Sequence, residues 1–204
     1  MVDATPVRGA LITVEGIDGS GKSTLCKALA QRLGDDAVLL REPGGVVLAE
    51  KIRELVKDPA LEVSPAAEAL LFAAARAQLV AEKIKPLLAA NKLVLLDRFV
   101  DSSLAYQGAG RGLGIDAVAA INELATDGIV PDRTLLLRIE PGLAATRMSE
   151  GDRLEKAGRT FFDDVAQAYD RLAEADPARF RVLDASLDPD DVLVSALKAV
   201  EDLT

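Results

Sequence analysis

The chain has 204 residues, of which 50% are hydrophobic and 28% charged, a composition typical of one globular domain with a sizeable core. Its net charge of -9 disfavours general binding to nucleic acids or anionic membranes, because both would be repelled on average. The absence of histidine excludes histidine metal sites and Ser-His or Cys-His catalytic pairs.

Short apolar runs alternate with longer helical segments along the chain. The predicted strands are 10–14, 37–40, 93–96, 134–139 and 180–183. The predicted helices are 22–33, 46–57, 65–90, 116–127, 142–148, 160–174 and 189–202. Because the strands lack polar alternation, they indicate a parallel sheet covered on both faces. The sequence therefore predicts an α/β fold, a doubly wound five-stranded parallel sheet flanked by helices, in a single domain over 1–204.

The first predicted strand runs into GIDGSGKS, which matches the phosphate-binding pattern G-x-x-x-x-G-K-[ST] at Gly16, Gly21, Lys22 and Ser23. Successive backbone N–H groups of such a loop surround a phosphate, and the following helix directs its positive end at the same point. We expect Lys22 to reach the β- and γ-phosphates of a nucleoside triphosphate. The Ser23 hydroxyl is expected to ligate Mg²⁺.

Other unusual residues follow the second and third strands, where ligands bind in sheets of this kind. Asp97 ends the third strand and is a candidate second Mg²⁺ ligand. Arg98, directly after it, offers a bidentate fork for phosphate. Phe72 and Arg76 are four residues apart on one predicted helix and so share a face. In a chain with 3% aromatic residues, this pair suggests stacking on a flat ring and hydrogen bonding to its carbonyl, although Phe72 taken alone is better explained by core packing. Arg41, Arg53 and Arg111 are further candidates to converge there.

These motifs together resemble those of the bacterial thymidylate kinases, the P-loop enzymes that transfer the γ-phosphate of ATP to dTMP. The resemblance rests on EGIDGSGKST (15–24), REPGG (41–45), LLFAAARAQLV (70–80), DRFVDSSLAYQGAGRG (97–112), PDRTLLL (131–137) and DRLE (152–155). They occur in family order over most of the chain. The resemblance implies a P-loop kinase with a short lid at about 147–159, acting in dTTP biosynthesis.

The resemblance also implies roles for individual residues. The residues expected to bind ATP are Gly16, Ile17, Asp18, Gly19, Ser20, Gly21, Lys22, Ser23, Thr24 and, against adenine, Arg147. The residues expected to bind dTMP are Glu42, Pro43, Arg53, Phe72, Arg76, Arg98, Ser103, Tyr106 and Gln107. Among these, Phe72 would stack on thymine, Arg76 would donate to its O4, and Tyr106 would lie under the deoxyribose.

Catalysis is expected to depend on Lys22, Arg98, Asp18 and one lid arginine, with Mg²⁺ held at Ser23 and Asp97. Gly19 occupies a position where part of the family carries an arginine, so the missing cation should come from Arg153 in the lid. Because the attacking dTMP phosphate oxygen is already an anion, no strong base is needed. Two alternatives remain at this point, namely another deoxynucleoside monophosphate kinase and a non-enzymatic nucleotide switch.

The remaining expectations concern location and assembly. Cys26 is the only cysteine, so a reducing compartment is expected, and the N-terminus lacks the apolar core of a signal peptide. We therefore expect a cytoplasmic protein with nucleotide substrates and without nucleic-acid or membrane partners. The resemblance implies a homodimer packed through helices, including the alanine-rich segment 65–90.

Overall fold

The computed structural model describes residues 9–148 and 158–204 and contains one five-stranded parallel sheet. The strands are β1 (Leu11–Glu15), β2 (Ala37–Arg41), β3 (Leu93–Asp97), β4 (Arg133–Arg138) and β5 (Phe180–Asp184). Their order across the sheet is β2-β3-β1-β4-β5. This confirms the predicted fold class, and it places β1 centrally between β3 and β4.

The helices cover both faces of the sheet. They are α1 (Lys22–Leu33), α2 (Val47–Lys57), α3 (Pro65–Leu79), α4 (Lys85–Ala89), α5 (Val100–Ser103), α6 (Ile115–Thr126), α7 (Pro141–Thr146), α8 (Arg159–Ala175) and α9 (Pro189–Val200). None of the helices in the described residues is long and apolar enough to cross a membrane.

Alternate strand residues supply two apolar clusters, because successive side chains of a strand project to opposite faces. On β3, Leu95 packs in the cluster that contains residues of α1, α8 and α9. Its neighbours Val94 and Leu96 pack instead with α2 and α3. Helices therefore pack on both faces of the sheet and leave its carboxyl edge to the loops.

Two helical regions differ from the sequence prediction. The predicted helix 65–90 is interrupted by a π-helical turn, Val80–Ile84, between α3 and α4. Pro86 follows within the next turn, where it lacks the N–H that a regular helix would use. The sequence predicts no helix directly after Arg98, yet α5 runs into a second π-helical stretch, Leu104–Gly110. Most of the expected lid lies outside the described residues.

Candidate active site

The loop after β1 lies over the N-terminus of α1, which begins at Lys22. The Lys22 ammonium group is buried and donates to the Ile17 carbonyl over 2.7 Å. Burial, helped by the positive charge of nearby Arg98, lowers the pKa of Lys22 to about 8. The carboxylates of Asp18, Asp97 and Glu15 act in the opposite direction. The positive charge is thus held inside the loop, where an incoming phosphate would stabilise it.

Gly19 allows a close approach between this loop and α7. Its φ is 79°, and a Cβ built there would lie 2.2 Å from the Ala144 carbonyl oxygen. The loop and α7 therefore touch at a point that admits no side chain.

The two candidate Mg²⁺ ligands lie together. Ser23 Oγ donates to Asp97 Oδ2 over 2.6 Å, a contact that arises because β1 and β3 are neighbours with Val14 opposite Asp97. A hydroxyl and a carboxylate are oxygen ligands of the kind that Mg²⁺ prefers, usually with water and substrate phosphates completing the shell. The side chains present therefore fit a magnesium ion.

Arg98 has a left-handed backbone with φ of 71°, which is uncommon for a residue with a side chain. Its Nη1 donates to the Gly16 carbonyl and to Ser102 Oγ. Its Nη2 donates to Asp18 Oδ1 over 2.5 Å and to the Tyr106 hydroxyl over 3.3 Å. Both terminal nitrogens are thus fully used by the protein.

Asp18 is the counter-ion of Arg98. Its Oδ2 accepts from the Tyr106 hydroxyl over 2.8 Å, and that hydroxyl accepts from the Asp18 N–H. Burial alone would raise the pKa of Asp18, but the charges of Arg98 and Lys22 outweigh it and lower the pKa to about 2. The two predicted catalytic residues Asp18 and Arg98 therefore form one ion pair beside the phosphate loop.

Glu15 is linked to Arg98 through the Ser102 hydroxyl, and sequence reasoning missed this residue. Its Oε1 accepts from the Phe99 N–H over 2.7 Å, and its Oε2 accepts from Ser102 Oγ and the Tyr169 hydroxyl. Burial, reinforced by Asp101, raises the pKa of Glu15 to about 7. A charged residue ending an otherwise apolar strand was the signal that could have identified this buried acceptor.

A cavity of about 350 Å³ opens beside the ion pair. All nine residues expected to bind dTMP line it, namely Glu42, Pro43, Arg53, Phe72, Arg76, Arg98, Ser103, Tyr106 and Gln107. It also reaches the phosphate-loop residues Asp18, Gly19, Gly21, Lys22, Ser23 and Thr24, and Asp97. Gly16 and Ile17 line a second cavity of about 270 Å³ beside β4. The nine predicted acceptor residues therefore share one space with six of the predicted donor residues, whereas Ser20 and Arg147 line neither cavity.

Arg76 is buried, and its N–H groups are engaged by the protein. Its Nε donates to Glu42 Oε2 over 2.8 Å, and its Nη2 donates to the Phe99 carbonyl. Its Nη1 donates to Ser103 Oγ over 3.0 Å and to Asn122 Oδ1. Asn122 was not identified from the sequence, because it lies on α6, far along the chain. This network fixes the guanidinium against the wall of the cavity, and it occupies the N–H groups that were expected to donate to thymine O4.

The other arginines divide between the cavity and its surroundings. Arg53 and Arg41 both donate to the Pro43 carbonyl, and Arg41 also pairs with Glu50. Arg111 does not line the cavity, contrary to the suggestion that it converges there, because Glu68 pairs with it. Arg147 donates to the Ala185 carbonyl over 2.8 Å.

Of the expected lid, Arg153 lies outside the described residues. Arg159, the first residue of α8, is exposed, and its Nη2 lies 3.8 Å from Glu140 Oε1. Arg138, for which the sequence gave no role, pairs with Asp170 on α8.

A phosphate loop, a strand-end aspartate within reach of its serine, and an adjoining second pocket at the carboxyl edge of a five-stranded parallel sheet define a P-loop kinase. The family model described as thymidylate kinase matches residues 14–195. The chain belongs to the thymidylate kinase family.

Individual relatives cover nearly the whole chain. It is 47% identical to the thymidylate kinase of Oenococcus oeni, with 96% of each chain covered. It is 44% identical to that of Deinococcus radiodurans, over 96% of this chain and 98% of the relative. The crystal structure of thymidylate kinase from Ehrlichia chaffeensis superposes with a TM-score of 0.79 at 31% identity, covering 95% of this chain and 99% of that one.

Proposed function

We propose that this protein transfers the γ-phosphoryl group of ATP to dTMP, forming dTDP for dTTP biosynthesis. A dTMP phosphate oxygen forms a bond to the γ-phosphorus while the bond to the β,γ-bridging oxygen breaks, and ADP leaves with that electron pair. The observation that carries the proposal is the single cavity in which all nine expected dTMP residues adjoin the phosphate loop. Membership of the thymidylate kinase family supports the same reaction.

Charge neutralisation and positioning supply most of the rate in such a transfer. Lys22 binds the β- and γ-phosphates. Arg98 releases Asp18 and then binds and orients the acceptor phosphate. Ser23 and Asp97 would hold Mg²⁺, which when bound offsets the charge of the phosphates. Arg153 is the proposed lid cation at the transferring group, and Arg147 the proposed contact to adenine.

The acceptor end selects a pyrimidine deoxynucleotide. Phe72 is half-buried on the cavity wall and stacks on the base. Tyr106 is held against Asp18 and Arg98, so its ring occupies the space beneath the sugar, where a 2′-hydroxyl would need room. Glu42 and Pro43 shape the wall between Arg76 and Arg53.

A coupled kinase assay over dTMP, dUMP, dCMP, dAMP and dGMP tests this function. We expect dTMP to be the preferred acceptor and Lys22→Ala to reduce turnover at least about a hundredfold, since it removes a cation from the transferring phosphates. Lys27→Ala is the matched control, because Lys27 is an exposed lysine on the same helix. Preference for another monophosphate, or full activity of Lys22→Ala, would contradict the proposal.

The proposed assembly is a homodimer, in the cytoplasm. Three neighbouring helices, α2, α3 and α6, expose apolar side chains, with Val47 75%, Leu70 56% and Leu124 87% exposed. Such side chains on one helical layer are typical of a surface covered by a partner subunit. The single buried cysteine supports a reducing compartment.

A further inference from the structure

A buried carboxylate, Glu68, holds the amide of Gln107 at the base end of the cavity. Gln107 Nε2 donates to Glu68 Oε1 over 2.9 Å, and the two residues are 3% and 1% exposed. Arg111 donates to both carboxylate oxygens of Glu68 over 3.3 Å. Gln107 lines the cavity, whereas Glu68 and Arg111 do not. Glu68 therefore acts on the cavity through Gln107.

The partner of the amide decides which of its atoms is left for a ligand. A carboxylate paired with an arginine is only an acceptor, so it attracts the NH₂ group of Gln107 and repels the carbonyl. The amide oxygen must then lie on the side of the amide away from Glu68. Within the described residues, the donation to Glu68 is the one hydrogen bond of this side chain. Gln107 therefore offers the cavity an acceptor, Oε1.

The hydroxyl of Ser103, by contrast, is left as a donor. Ser103 Oγ accepts from Arg76 Nη1, so its own hydrogen is left to be donated. Glu68, Phe72 and Arg76 lie four residues apart in succession on α3, and Ser103 and Gln107 lie four apart on the facing helical segment. The pairs Glu68–Gln107 and Arg76–Ser103 thus lie on either side of Phe72 along α3.

We propose that Glu68 is a positioning residue that makes this cavity select a base carrying a ring N–H beside a carbonyl, by fixing Gln107 as an acceptor next to Ser103 as a donor. This rests on the proposed function and adds the origin of its base selectivity. Thymine presents N3–H beside O4 and so matches the pair. Cytosine presents an unprotonated N3 beside an amino group, so both contacts would be mismatched.

The variant Glu68→Gln tests the proposal, because a carboxamide has nearly the same size but can hold Gln107 in either orientation. We expect the ratio of kcat/KM for dTMP to that for dCMP to fall about tenfold or more, since sites built around such contacts discriminate strongly. The KM for dTMP should rise and the KM for ATP should stay unchanged. A mere loss of stability would lower both activities without changing their ratio.

Glu82→Gln is the matched control, because Glu82 is an exposed glutamate that follows α3 and does not line the cavity. It should keep the wild-type ratio. If Glu68→Gln does not fold, Glu68→Asp serves instead, since it keeps the charge but withdraws the carboxylate by one methylene. A folded Glu68 variant with an unchanged ratio, or the same fall in Glu82→Gln, would overturn the role of Glu68. Wild-type turnover of dTMP tests the proposed function separately.

Discussion

Lys22 combines a buried position with a pKa lowered to about 8, and this gives the enzyme a specific pH dependence. Below that pH the free enzyme carries the ammonium that binds phosphate, and above it the charge is lost. We expect kcat/KM for ATP, which reports the free enzyme, to fall as the pH rises through about 8. Bound triphosphate favours the ammonium, so kcat should stay level to a higher pH.

The measurement is a pH profile of kcat/KM for ATP at subsaturating dTMP and of kcat with both substrates saturating. Lys22→Arg is the control, because a guanidinium keeps its charge over this range. Whatever its absolute value, the kcat/KM of Lys22→Arg for ATP should not fall at alkaline pH. A wild-type kcat/KM that stays constant to about pH 9.5 would contradict the lowered pKa of Lys22.

At the scale of single residues, the sequence predicted best what local pattern or strand adjacency determines. The phosphate loop is contiguous, and the Ser23–Asp97 contact follows from placing two strand ends side by side. Glu15, Glu68 and Asn122 were missed, because each is defined by a partner on a distant element. The sequence does not show which N–H groups will donate to a glutamate once it is buried.

Among the elements, the contact between the phosphate loop and α7 predicts different tolerance at two glycines of that loop. Gly19 and Gly21 both have positive φ, but only at Gly19 would a Cβ meet other atoms within 4 Å. Gly21→Ala should therefore cost about 1–2 kcal/mol of unfolding free energy, from backbone strain alone. Gly19→Ala should cost about 1–3 kcal/mol more, because α7 must also move.

Chemical denaturation without nucleotide measures both variants, and Gly21→Ala serves as the control for Gly19→Ala. Equal destabilisation would mean that α7 yields freely to the new methyl group. The same contact limits what position 19 can carry. An arginine there would require α7 to lie further from the loop than it does here.

Helix types were harder to predict than strands. All five strands were predicted to within a residue or two, because short apolar runs in a covered parallel sheet are distinctive. The two π-helical stretches were not, because their five-residue hydrogen-bond spacing leaves no clear periodicity in a short segment. The second of them, Leu104–Gly110, places Tyr106 and Gln107 in the cavity.

For the whole molecule, the apolar side chains exposed on α2, α3 and α6 provide a test of the proposed homodimer. Leu70→Glu and Leu124→Glu each place a charge on this layer, so either should weaken a dimer at least about tenfold, since burying an unpaired charge is costly. Light scattering across a concentration series measures the change. Val194→Glu, on an exposed apolar position of α9, is the control and should leave the dimer intact. A monomeric wild type would contradict the proposed assembly.

The ion pair between Arg98 and Asp18 has a consequence for the search for inhibitors. Both terminal nitrogens of Arg98 already donate to protein acceptors, so an anionic ligand must separate a partly buried pair of charges before it gains the arginine. An uncharged compound that fills the space between Phe72 and Gln107 leaves the pair in place and avoids that cost. Compounds against this site are therefore better sought among neutral nucleoside-like scaffolds than among phosphate mimics.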